Sequence, residues 1–343
     1  MIVCVAEDRP QFEVCVKLLL LSLANHCPDL AVELFFPVAD AAFKAWLGRC
    51  PHVHLNQEPL AGAYGWNVKP QALLTLMDRG ATEILWIDSD ILITRDIRGL
   101  CQNLDDGTLV VTEEALSGFP QDPDGLRCRA WGLPVGRQLP FVANTGFIRA
   151  TTRHRPLLVR WRELIESPAY REAQSLPFGV KPLHMFSDQD VLTALLTSRD
   201  FADIDVKFLT RGEHIIQYNG VLGYTCAERV RHLFGGLPPL VHSVLDKPWL
   251  DPETRQMSRG QHGSFLARYQ DLSPYTILAK SYGERLESDC AWMEPNYRET
   301  AFMRALGFGQ APLTGLPMAI AIDAYKLGKS VMDWVRRGPR FAG

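Results

Sequence analysis

The first half of this chain alternates short β-rich runs with longer helical patterns, and that alternation constrains the fold more than any other feature. IVCVA at residues 2–6 predicts a first strand, and QFEVCVKLLLLSLAN at 11–25 carries apolar residues around most of a helix. AVELFF predicts a second strand, DAAFKAWLGR a helix, HVHL a short third strand and NVKPQALLTLMDRG a further helix. EILWID then predicts a fourth strand with apolar residues on both faces. Strands alternating with helices argue for an α/β fold whose central sheet is mainly parallel and flanked by helices. Such a sheet gathers ligands beyond the carboxyl ends of its strands. Glu7 and Asp8 follow the first strand there, and Asp88, Ser89 and Asp90 follow the fourth.

After TLVVT the pattern breaks. Four Gly and four Pro fall between Gly118 and Pro140, so 117–140 reads as a loop or irregular insertion. The alternation resumes with a strand in PFVANTGFIRA, a helix near Pro156 to Ile165, and SDQDVLTALLTS, a helix entered through acidic residues. PLVH predicts a last strand before SVLDKPW, and polar, helical segments follow Trp249. The chain thus divides into an α/β domain at 1–250, where the strand ends offer a candidate site, and a helical C-terminal extension at 251–343.

A chain of 343 residues holds ample core for this plan, and its 22% charged and 47% hydrophobic content argues against disorder. The net charge of -3 gives no reason to expect nucleic acid, whose phosphates call for clustered Lys and Arg. MIVCVAEDRP lacks a basic leader, and no uncharged apolar run approaches the ~20 residues of a membrane span. The expected location is cytoplasmic. The eight cysteines are scattered without zinc spacing and read as reduced, mostly buried thiols.

In ILWIDSDILI, Asp88 and Asp90 stand at i and i+2, on the same face of an extended chain. Paired carboxylates there either cap a turn or hold a divalent cation, with a substrate diphosphate completing its shell. A haloacid-dehalogenase-like phosphatase would also use Asp88 and Asp90, but those enzymes continue with Gly-Thr where Ile91 and Leu92 follow here. A catalytically silent sugar-nucleotide-binding protein is a third reading.

From Met1 to Trp249 the chain resembles the family-eight glycosyltransferases and their relatives, the group of glycogenin and bacterial lipooligosaccharide galactosyltransferases. Five pieces fall in the family's order: VAEDRPQFEVCVKLLLLSL, ILWIDSDILI, FVANTGFIRA, FSDQDVLTALL and VHSVLDKPW. The resemblance implies a GT-A type fold and retaining transfer of a hexose-type sugar from a UDP-sugar to a glycan, glycolipid or protein. It implies that Asp88, Asp90 and His242 hold a metal ion, and a nitrogen ligand beside carboxylates favours Mn²⁺ over Mg²⁺. Lys247 would hold the diphosphate, although four residues separate it from His242 where the family has five including a glycine. Ala6, Glu7, Asp8 and Ser89 would meet the nucleotide. Lys69 falls where relatives place a donor-binding Arg, with Gln71 at the expected position. Asn144 would line the sugar pocket, with Gly146 allowing close approach. Asp188, Gln189 and Asp190 would face the anomeric carbon, a placement compatible with an N-cap and helix-dipole acids.

The tail 316–343 predicts an amphipathic helix. Lys326, Lys329, Arg336, Arg337 and Arg340 against Asp323 and Asp333 give it +3 within a chain of net -3. It suits either peripheral contact with anionic lipid or packing on the rest of the protein.

Overall fold

Apolar runs that bury both faces fit the interior of a sheet, and a computed structural model of the protein places seven strands in one sheet, with the most buried of them away from its edges. It describes residues 1–62, 64–114, 122, 124–218, 223–244, 247–250, 269–288 and 290–337. These form two compact units, Met1–Ile215 and Ile216–Gly343.

In chain order the first unit contains β1 (Ile2–Ala6), α1 (Glu13–His26), β2 (Val32–Phe35), α2 (Ala41–Leu47), β3 (Val53–Asn56) and α3 (Lys69–Asp78). There follow β4 (Glu83–Ile87), β5 (Ile91–Ile93), β6 (Thr108–Glu113), α4 (Leu126–Ala130), β7 (Ala143–Thr151) and α5 (Arg155–Glu166). α6 (Pro168–Ser175), α7 (Asp188–Thr197) and β8 (Asp205–Leu209) complete it. The sheet order is β3-β2-β1-β4-β7-β6-β8. β1 runs parallel to β2 and β4, β2 to β3, and β6 to β8, while β7 is antiparallel to both neighbours. The sheet is therefore mixed but mostly parallel, with helices packed on it. Because β7 is reversed, its first residues lie beside the last residues of β4: Ile87 pairs with Phe147, and the Asp88 amide donates to the Gly146 carbonyl at 2.8 Å.

Period-two spacing decides which strand residues meet the helices. Cys4, Phe35, Ile84, Trp86, Leu109, Val111, Ile148 and Ala150 share one buried cluster with the apolar sides of α3, α5 and α7. Leu73 and Leu76 come from α3, Leu157 and Trp161 from α5, Leu192 and Leu195 from α7. The Trp161 indole also donates to the Asp188 carbonyl at 2.9 Å, tying the start of α7 to α5. α1 is buried continuously from Cys15 to Leu23, as its all-round apolar sequence predicts.

The insertion read as irregular contains a short helix, α4, entered through Gly125 at φ +61°. A Cβ at Gly125 would sit 2.9 Å from Val135. Residues 117–121 and 123 of the insertion lie outside the described residues.

The second unit carries β9 (Ile215–Tyr218) beside β10 (Leu240–Ser243), and α8 (Cys226–Gly235) between them in sequence. Thr225 and Glu228 form a capping box at the start of α8. Buried Arg229 donates to the carbonyls of Tyr224, Ala311, Pro312 and Thr314. The helix Leu316–Arg337 packs on α8, and the Asp323 carboxylate accepts from the Cys226 amide at 3.0 Å. Ile320 and Tyr325 on it are exposed; side chains 326, 327 and 329–337, together with residues 338–343, lie outside the described set. Among the described residues no helix is long and apolar enough to cross a membrane.

Candidate active site

β2 and β3 lie on one side of β1 and β4 on the other, so strand order reverses between β1 and β4. A crevice at such a reversal, beyond the carboxyl ends, is where open α/β sheets bind ligands. Glu7 and Ser89 face each other across this point, with the Ser89 hydroxyl donating to Glu7 Oε2 at 2.8 Å. Glu7 is buried and accepts four further hydrogen bonds, from the amides of Asp8 and Arg9 and from Nε and Nη2 of Arg9 at 2.7 and 2.9 Å. The Arg9 guanidinium lies over the Phe12 ring, 3.7 Å from its centroid. Asp8 accepts from the amide of Gly65, a residue at φ +56°, at 2.8 Å. Ala6 closes β1.

Asp88, Ser89 and Asp90 form the turn between β4 and β5, closed by the Ile91 amide on the Asp88 carbonyl. Asp88 is half-buried, Ser89 and Asp90 buried. Asp88 Oδ1 accepts from the Trp86 indole at 2.7 Å and lies 3.3 Å from Lys69 Nζ. Lys69, at the first position of α3, is 4% exposed, an unusual place for a lysine unless it is paired. Its ammonium reaches Asp188 at 3.2 Å and donates to Thr145 at 2.8 Å, and the Thr145 hydroxyl donates to Asp188 at 2.9 Å. Burial pushes the Asp188 carboxyl above the usual carboxylate range, against the pull of Lys69. Burial lowers the Lys69 pKa, but Asp188 and Asp88 outweigh it and hold the group above an ordinary lysine. Lys69 is a fixed cation between two of the predicted carboxylates.

A second network surrounds Gln189. Its Nε2 donates to Glu114 at 2.9 Å and its Oε1 accepts from Asn144 Nδ2 at 3.3 Å, while the same Nδ2 donates to Glu114 at 2.9 Å. The Asn144 Oδ1 accepts from Thr112 and from the Gly146 amide, each at 3.0 Å. This arrangement depends on a register shift between Val111 and Thr112 in the pairing of β6 with β7, which aims Thr112 at Asn144. Asp190 points elsewhere: it pairs with buried Arg127 of α4 at 2.8 Å and accepts from Ser187 at 2.6 Å. Burial raises its pKa, opposed by Ser187 and Arg127.

In the second unit His242 is buried on β10, and Lys247 Nζ donates to the Ser243 carbonyl. Asp88 and Asp90 in the first unit and, separately, His242 in the second each offer a ligand atom of a kind a metal ion takes. Two carboxylates and an imidazole are a donor set suited to a divalent ion such as Mn²⁺.

The structure therefore joins Lys69, Asp88 and Asp188 in one network and Asn144 and Gln189 in another, and turns Asp190 to Arg127 and Ser187. Arg9, Glu114, Arg127 and Thr145 escape a sequence reading. Except for Arg9, which pairs with Glu7 two residues away, their partners lie far off in the chain, 75 residues for Glu114 and Gln189 and 63 for Arg127 and Asp190, and only the polar Thr145 beside Asn144 carried a local signal.

No family model and no curated protein matches the chain. Among solved structures it is similar to the glycosyltransferase GlyE of Streptococcus pneumoniae TIGR4, at 16% identity and TM-score 0.44 over 83% of this chain and 64% of that one. It is similar to the bifunctional glycosyltransferase WbbM in its apo form, at 12% identity and TM-score 0.49 over 82% of this chain and 51% of that one. The galactosyltransferase LgtC in complex with donor and acceptor sugar analogs shares 13% identity at TM-score 0.46, over 83% of this chain and 100% of that one. The chain thus spans about half the length of WbbM and less than two thirds of GlyE.

Proposed function

We propose that the chain is a metal-dependent glycosyltransferase of the GT-A type, moving a hexose-type sugar from a UDP-sugar to a glycan, glycolipid or protein acceptor with retention of anomeric configuration. The observation that carries this reading is the convergence at the β1/β4 reversal. There Asp88 and Asp90 leave the end of β4 with Lys69 bound to Asp88 and Asp188 behind them. A phosphatase would need only the strand-end carboxylates; the Asn144, Gln189 and Glu114 network supplies polar groups suited to a sugar ring.

Asp88, Asp90 and His242 would hold the metal ion. When bound, it would supply Lewis-acid stabilisation of the charge left on the nucleoside diphosphate. Lys247 would add a point charge at the same diphosphate, in place before the bond breaks. Lys69 sets the positions of Asp88 and Asp188, so that metal ligand and sugar-facing carboxylate move as one unit. Asn144 and Gln189, held by Glu114, would meet the ring as it takes on oxocarbenium-like character. An aspartate nucleophile, Asp188 or Asp190, is the two-step alternative. Both carboxylates are already engaged by cations, Lys69 and Arg127, and this favours the one-step route. In that route the bond from the anomeric carbon to the phosphate oxygen breaks and the bond to the acceptor oxygen forms on the same face. The departing phosphate oxygen takes the acceptor's proton.

A panel of sugar nucleotides with Mn²⁺, read by release of the nucleoside diphosphate, tests the proposal. UDP-sugars should be hydrolysed slowly without acceptor, and excess chelator should stop release. Full activity in chelator overturns the metal role, and preferential binding of GDP or CMP in calorimetry overturns the uridine assignment. Proton NMR of the first product decides retention, since an anomer opposite to the donor's places the enzyme in another mechanistic class.

A further inference from the structure

One cation at the β1/β4 reversal has no part in the chemistry above. Arg9 lies three residues beyond the end of β1, and its Nε and Nη2 form a fork on the Glu7 carboxylate. One face of its guanidinium rests on Phe12, with Cζ 3.7 Å from the ring centroid. Glu7 is buried and is itself fixed by Ser89 and two backbone amides, so the fork cannot swing away without breaking several hydrogen bonds. Even so, 36% of the Arg9 side-chain surface is open to solvent. One edge is taken by Glu7 and one face by Phe12.

We infer that Arg9 is the platform on which the base of the donor nucleotide stacks. The inference rests on the proposed transferase reading and specifies how the nucleoside end of that same site is recognised. A guanidinium whose charge is met by a fork-to-fork carboxylate is a poor phosphate ligand. It keeps its planarity, and a planar cation backed by an aromatic ring is a surface on which a base stacks. The position agrees. With the diphosphate drawn to Asp88 and Asp90 at the end of β4, the nucleoside extends over the end of the adjacent strand β1, where Arg9 stands. Because Glu7 and Phe12 hold the side chain before the ligand arrives, little rotamer freedom is lost on binding. The buried Glu7 thereby acts as the holder of Arg9, and the base meets the arginine.

Calorimetric titration of UDP with Mn²⁺ into the full chain and into Arg9→Met and Arg9→Lys variants tests this, with inorganic pyrophosphate and Mn²⁺ titrated in parallel. Lysine keeps the ion pair with Glu7 and so preserves the local fold, but it offers no plane. UDP should bind Arg9→Met about tenfold more weakly or worse, and Arg9→Lys should not restore the affinity. Pyrophosphate should bind all three proteins alike. Unchanged UDP affinity in Arg9→Met, full rescue by Arg9→Lys, or a matching loss of pyrophosphate binding overturns the stacking role. If the wild-type chain binds neither UDP nor GDP, the transferase reading itself fails, a result distinct from any difference among the variants.

Discussion

Lys69 shows how a single buried charge can order a site, since its ammonium touches Asp88, Asp188 and Thr145 at once. On the proposed reading, in which the carboxylate serves the ligand and not the core, Asp90→Ala should reduce nucleoside diphosphate release to background while thermal unfolding stays near that of the wild type. An active Asp90→Ala protein would refute the metal site. The Gln189 amide is oriented by Glu114, which accepts from it, and by Asn144, which donates to it. Glu114→Gln offers both a donor and an acceptor and so releases that orientation. It should lower kcat by roughly ten- to a hundredfold with less change in donor affinity. A loss confined to donor binding, with kcat unchanged, would instead place Glu114 in ground-state recognition. The carboxylates at 88 and 90 were legible because an apolar strand does not carry charges at its end without a reason. Glu114 was not, since the two acids after TLVVT, Glu113 and Glu114, look like any solvated strand end until Asn144 and Gln189 are folded against the second.

At the scale of elements, α4 is held to α7 by the pair of Arg127 and Asp190, both buried. Arg127→Met should cost about 3 to 5 kcal/mol in chemical denaturation, because it leaves the Asp190 carboxylate buried without its cation. Arg127→Met combined with Asp190→Leu should recover a large part of that loss, and a fully additive double variant would show that the pair is not coupled. The junction of β7 and α5 carries a pH-dependent brace. His154 Nδ1 accepts from the Thr151 amide at 2.9 Å and its Nε2 lies 3.1 Å from the Gly107 carbonyl, a pattern that requires the neutral ring. Burial lowers its pKa below the ordinary 6.5. The folded state therefore binds fewer protons than the unfolded state, and stability present above about pH 6.5 is lost as the pH falls toward the folded value. Thermal midpoints of the wild type should fall more steeply on acidification than those of His154→Gln; parallel curves would exclude this linkage. Long apolar strands and periodic helices declared themselves in sequence. α4 did not, because five residues among glycines and prolines carry no periodicity, and its stability comes from a partner in α7. β5 was hidden for another reason: ILWIDSDILI reads as one apolar run until the turn at Asp88 to Asp90 divides it.

At the scale of the whole molecule, the helix Leu316–Arg337 takes part in the second unit through its packing on α8 and the bond from the Cys226 amide to Asp323. A chain ending before Gly315 should unfold at lower temperature than one ending at Tyr325, which keeps Asp323; equal midpoints would show that the helix contributes nothing to the fold. The order of strands has a further consequence, for synthesis. β4 is a five-residue apolar strand that pairs with β1 on one edge, but its other edge waits for β7, which is complete only at Thr151. At the pace of translation, that edge stays open for on the order of several seconds while the Gly- and Pro-rich insertion is made. During that interval the nascent chain presents unpaired amides and carbonyls along an apolar strand, the kind of surface that recruits chaperones or joins another copy. A ribosome paused within the insertion should therefore yield aggregates, and one paused well beyond β7 should not.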